Sequence, residues 1–112
     1  MYPARLRTRI WIASQVRACG VAGVVATVVR RGDEDSGAVL IKLNRYAVGF
    51  TVLVQTRVAD DAVAWLRGTG AEPVGEEVCD AYIERAVARD PDLWVLEIED
   101  PDGRAPLGGR IA

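Results

Sequence analysis

Lys42 is the only lysine of a 112-residue chain that otherwise carries thirteen arginines. It falls inside an apolar run, Ala38 to Leu43, and an ammonium held there needs a carboxylate partner. The candidates are Glu97 and Glu99, two positions apart in a second apolar run. On a strand that spacing puts both carboxylates on one face, about 7 Å apart. Carboxylates so close raise each other's pKa, which is what general acid and base chemistry requires. On a solvated sheet face the same pair is ordinary surface charge, and that is the more common case. Arg31 and Asp33, just ahead of Lys42, complete a candidate charged cluster of Arg31, Asp33, Lys42, Glu97 and Glu99. Two roles are open to it: a Lys42–Glu97 ion pair that specifies the fold, or a carboxylate or phosphate site built on Lys42 with help from Arg31.

Other chemistry is excluded more firmly. Histidine is absent, which removes the commonest general base and the usual zinc ligand. Cys19 and Cys79 are sixty positions apart and cannot supply four zinc ligands. Without a base they are poor nucleophiles, and they read as reduced core thiols of a cytoplasmic protein. There is no glycine-rich loop ending in lysine and no GxGxxG, so neither standard nucleotide motif is present. The run Asp33 to Gly37 begins like a calcium loop, but Asn44 stands where the bidentate glutamate is needed. No metal and no cofactor is expected.

The net charge of -2 conceals two opposed blocks. Residues 1–32 hold six arginines and no acid, a charge of +6, while residues 72–102 hold eleven acids against Arg85 and Arg89, a charge of -9. The two blocks either pair or occupy separate solvated faces. The basic block could bind RNA, although aromatic residues are only 6% of the chain and none falls in a stacking motif. The stretch from Ile10 to Val29 superficially resembles the apolar part of a signal or membrane segment. Arg17 in its middle would cost roughly 2.5 to 3.5 kcal/mol at a bilayer centre, so no membrane association is expected.

The elements that must position these side chains follow from periodicity. Residues 5–12 alternate as a strand does, and Ile12, Val16 and Cys19 then follow helical spacing, so this segment is a strand running into a helix or one helix throughout, ended at Gly20. Val24 to Arg30 and Ala38 to Leu43 read as a hairpin with a long loop, the second strand lying inside the sheet because both its faces are apolar. Gly49 to Arg57 is the next strand. Residues 59–70 fit either a helical turn or an edge strand, with the strand preferred. Beyond Pro73, Glu76 and Glu77 open a helix striped by Val78, Cys79, Tyr82, Ile83, Ala86 and Val87, and Pro91 ends it near Asp90. Leu93 to Ile98 closes the sheet, Asp100 to Gly103 is a turn, and a flexible tail begins at about residue 104.

Two runs carry a resemblance. Val28-Val29-Arg30-Arg31-Gly32-Asp33 with Asp35 and Gly37 to Lys42, and Asp90-Pro91-Asp92-Leu93-Trp94-Val95 with Glu97, Glu99 and Asp100, resemble an uncharacterised alphaproteobacterial family, domain of unknown function 1491. The likeness extends from Trp11 to Asp102, apart from the stretch between Asn44 and Ala71. It implies a bacterial, cytoplasmic protein and no mechanism.

The expected architecture is a single α+β domain over residues 1–112, a mainly antiparallel sheet of about five strands with two helices on one face. The expected function is a protein-interaction module or homodimer without catalytic activity, docking through a sheet edge or a face bearing Trp65 or Trp94. The alternatives are RNA binding by the arginine-rich first segment and a small carboxylate-dependent enzyme using Glu97, Glu99 and Lys42.

Overall fold

The computed structural model of the chain describes residues 8–57, 63–103 and 110–111. Helix α1 spans Thr8–Val21, so helical spacing prevails from Thr8 onward; residues 5–7 of the alternating stretch lie outside the described residues. The helix runs through Gly20 and ends at Gly23, which adopts a positive φ of 76°. There the amides of Val24 and Gly23 donate to the carbonyls of Cys19 (2.8 Å) and Gly20 (3.1 Å). Those two bonds satisfy the last carbonyls of the helix, which is why Gly23 rather than Gly20 terminates it.

Strand β1 (Val25–Arg30), β2 (Val39–Asn44), β3 (Phe50–Arg57), β4 (Val63–Arg67), β5 (Trp94–Glu99) and β6 (Arg110–Ile111) form one sheet in the order β1-β5-β2-β3-β4-β6. Three of its pairings are antiparallel, and β2–β5 and β4–β6 are parallel. Helix α2 (Glu76–Arg89) links β4 to β5. The preferred strand in residues 59–70 is present as β4, but not at the edge, because β6 pairs along its outer side. The helix after Pro73 begins at Glu76 as expected, and Val78 alone leaves its stripe for solvent. Of the expected tail, Arg110 and Ile111 pair with Ala64 and Trp65 of β4, whereas residues 104–109 lie outside the described residues.

Two expectations are corrected. The first is the hairpin: β5 inserts between β1 and β2. A central strand must bury both faces. Trp94, Val95, Leu96 and Ile98 of β5 are buried, while four of the six β1 residues are exposed. The strand with more apolar area takes the inner position and leaves β1 at the rim. The second is the placement of both helices on one face. Ile12 and Cys19 of α1 pack on Val39, Ile41, Leu43, Leu53, Trp65, Trp94, Leu96 and Ile98. On the other side of the sheet, Cys79 of α2 packs with Leu40, Val52 and Leu93, flanked by Tyr82, Ile83, Ala86 and Val87. Alternate residues of β2 and β3 serve alternate layers, as a strand with two apolar faces demands.

Candidate functional site: an uncovered edge strand and the charged face behind it

Lys42 sits on the α2 face of β2 and is buried. Its Nζ donates to Glu76 Oε2 and to Asp80 Oδ1, both at 2.8 Å, and lies 5.3 Å from the centroid of Phe50. Glu76 and Asp80 are one helical turn apart, so they share a face of α2 and grip the ammonium together. Burial works to lower the Lys42 pKa; the hydrogen bonds to Asp80 and Glu76, with the charges of Asp80 and Glu97, overturn that and hold it above the ordinary lysine range. Lys42 is thus the tie between β2 and the first turns of α2. The expected Lys42–Glu97 ion pair is not formed, although the two residues are register partners across β2 and β5. Glu76 and Asp80 share helical spacing with Ile83 and Val87 on α2, which marks the face they occupy but does not name Lys42 as their partner.

Glu97 and Glu99 face the same side from β5 and are held by neutral donors. Asn44 Nδ2 donates to Glu97 Oε2 at 3.2 Å, and the Tyr46 hydroxyl donates to Glu99 Oε1 at 3.0 Å. Asn44 also accepts the Tyr46 amide at 2.8 Å, which steadies Tyr46 at its unusual φ of 57°. The hydrogen bond to Glu99 raises the Tyr46 pKa, so the phenol stays a donor. Among the described residues, neither glutamate forms a salt bridge.

Arg31 and Asp33 do not join this group. Asp33 Oδ2 accepts from the Ser36 amide (2.9 Å), the Ser36 hydroxyl (3.0 Å) and the Asp35 amide (3.2 Å), and these bonds lower its pKa. Its carbonyl accepts the Trp94 indole N–H at 2.7 Å. Arg31 stands 5.4 Å over the Trp94 ring and pairs with Glu34 at 3.7 Å. This loop is anchored at Trp94, three residues and about 10 Å along the strand from Glu97. The charged cluster expected from sequence therefore divides into a loop that packs on Trp94 and a sheet face behind β1. Trp94 and Trp65 offer no contact surface, because both are in the core; Trp65 packs against Trp11 of α1 with ring centroids 5.7 Å apart and planes tilted by 38°. A cavity of about 150 Å³ lined by Leu43, Arg45, Thr51, Leu53 and Arg67, among others, includes no member of the expected cluster.

The sheet edge is the surface that remains. Strand β1 pairs with β5 on one side and, among the described residues, with nothing on the other. Its sequence is Val-Ala-Thr-Val-Val-Arg, without an acid, a lysine or a proline. Val25 and Val29 are each 54% exposed, and Val28 is exposed as well. A bulge between Val28 and Arg30 disturbs only the far end. Natural edge strands are usually blunted by charge, proline or strong bulging; from Val25 to Val28 this one is not.

These features define a small α+β domain with a mixed sheet held between two helices. The chain belongs to the family described as protein of unknown function, DUF1491, whose model matches residues 6–108. It is similar to the crystal structure of a DUF1491 family protein from Caulobacter crescentus CB15, at 38% identity and a TM-score of 0.84, covering 96% of this chain and 100% of that one. An NMR structure of a DUF1491 family protein from the same organism matches at 38% identity and a TM-score of 0.81, over 96% of both chains. The solution structure of protein Atu0922 from A. tumefaciens shares the fold at 24% identity, a TM-score of 0.70 and 86% coverage of both chains. No curated protein matches. Among the described residues, no helix is long and apolar enough to cross a membrane.

Proposed function

We propose that this domain is a protein-interaction module that works in the cytoplasm and docks a partner by strand addition to β1. The single observation that supports this reading is the uncharged stretch Val25–Val28 at the rim of the sheet, exposed at Val25, Thr27 and Val28 and, among the described residues, unpaired on its outer side. Alternate residues of such a strand direct backbone N–H and C=O groups outward, and a partner strand supplies affinity through main-chain bonds. The cytoplasmic assignment rests on two unpaired, buried thiols on opposite faces of the sheet, Cys19 and Cys79. Lys42 is committed to Glu76 and Asp80, which weighs against the carboxylate-dependent enzyme. Arg30 donates to the Pro91 carbonyl at 2.8 Å and Arg31 lies against Trp94 and Glu34, so two of the six arginines behind the RNA reading make contacts within the fold.

The test is affinity capture by the wild-type chain and by a Val25→Lys/Val29→Lys variant, with hydrogen exchange measured on each complex recovered. Strand addition predicts a partner that slows exchange of the Val25–Arg30 amides and is lost from the variant. A partner held equally by the variant, with β1 exchange unchanged, overturns the reading; so does a chain that captures nothing and sediments as a monomer.

A further inference from the structure

Given strand addition at β1, the face behind that strand specifies the chemistry of what is added. Helix α2 packs over Leu40 and Val52 of the central strands, while at the β1 margin of the same face Val25 and Thr27 are exposed and Glu97 and Glu99 of β5 partly so. Across the register, Val25 is opposite Glu99 and Thr27 is opposite Glu97. An added strand lies about 4.8 Å outside β1, so every second side chain projects beside Val25 and Thr27, with the two carboxylates one strand further in. Valine and threonine are short, and an extended lysine or arginine passes over them to reach a carboxylate. Glu97 and Glu99 are oriented by Asn44 and Tyr46 and have no cation bound among the described residues.

We infer that β1 receives an extended basic segment of a partner protein, with lysine or arginine at alternate positions facing Glu97 and Glu99 and apolar residues between them. The period follows from the strand: carboxylates two residues apart ask for cations two residues apart. The intervening side chains fall on the α1 face, beside Ala26 and the exposed Val28, where apolar residues bury area. A second copy of this chain fits less well. Its β1 brings one cation, Arg30, which already donates to the Pro91 carbonyl of its own chain.

The experiment titrates the isotope-labelled full chain with the end-blocked peptide Lys-Val-Lys-Val-Lys-Val and, separately, with Glu-Val-Glu-Val-Glu-Val, following backbone amides. The basic peptide is expected to shift the amides of Val25–Arg30 and to bind more tightly than the acidic one. Glu97→Gln/Glu99→Gln keeps acceptors for Asn44 and Tyr46 and is expected to weaken the basic peptide by about threefold to tenfold, with a comparable loss at high salt. Equal binding of both peptides at β1 overturns the basic preference and leaves strand addition standing. Failure of both peptides to move the β1 amides overturns both. A wild-type dimer joined through β1 in sedimentation and hydrogen exchange makes the second copy the occupant and overturns the basic segment.

Discussion

Lys42 Nζ donates to Asp80 Oδ1 at 2.8 Å across the gap between β2 and α2, and the two ends of that bond differ in exposure. The lysine side chain is 9% exposed and the aspartate 50%; Glu76, the second acceptor, is 53% exposed. The cost of breaking the contact therefore depends on which side is removed.

Removing both carboxylates strands a buried ammonium, and removing the ammonium lets half-exposed carboxylates return to water. Glu76→Gln/Asp80→Asn is expected to destabilise the fold by about 2 to 4 kcal/mol, less than a fully buried pair because its acids are half-solvated. Lys42→Met, which keeps the stem over Phe50, is expected to cost less than half of that. Urea unfolding of the three proteins checks the asymmetry, and equal losses would refute it.

The loop before β2 depends on two positions without a side chain. A Cβ at Gly32 or at Gly37 would run into the Asp92 carbonyl and come within 2.7 or 2.8 Å of Trp94 Cδ1. Neither obstacle is a flexible side-chain end, since the indole is fixed by its bond to Asp33. Gly32→Ala and Gly37→Ala are each expected to cost about 1 to 3 kcal/mol. Gly20→Ala, where nothing lies within 4 Å of the added atom, is expected to be neutral or stabilising because it sits inside α1. Thermal unfolding with Trp fluorescence separates the two outcomes.

Alkaline pH acts on the α2 side of the core. Burial pushes the Cys79 thiol up to about 11 from an ordinary value of 9.0. The folded chain thus keeps a proton that the unfolded chain loses above pH 9.0, and stability falls as pH rises from there. Lys42, also raised, adds a loss above its unfolded value of 10.5, where the unfolded chain gives up its proton first. Midpoints of urea unfolding should be flat between pH 7 and 8.5 and decline above pH 9. Cys79→Ser reduces the decline just above pH 9 without abolishing it, because burial also raises the Cys19 thiol from its ordinary 9.0; a decline unchanged in that variant would count against the assignment.

Native thiol chemistry gives a separate check. Both cysteines are fully buried and on opposite sides of the sheet, and burial raises the pKa of each. Reaction with a thiol reagent at pH 8 is expected only on opening of the fold, at a rate set by the opening equilibrium. Rapid modification of Cys79 in the folded chain would contradict its place under α2.

Local elements were legible where their causes are local. The α2 helix could be read from its stripe and its first-turn acids, β2 from a run apolar on both faces, and β4 from alternation through Trp65. The division of the candidate cluster was not legible. Strand direction and period place Glu97 and Glu99 on one face, but they do not say that β5 enters between β1 and β2, or that Asn44 and Tyr46 arrive to hold the two carboxylates.

Composition and periodicity by themselves determined the chemistry available to this protein: no imidazole, thirteen arginines, one lysine, and an α+β arrangement of short strands with two helices. Tertiary structure alone decided which acids meet Lys42, that the helices cover opposite faces, and that β1 is left at the rim. The reason is that burial is a competition among segments far apart in the chain. The inner positions of a sheet go to the strands with the most apolar area on both faces, and that comparison is settled only when all strands are assembled.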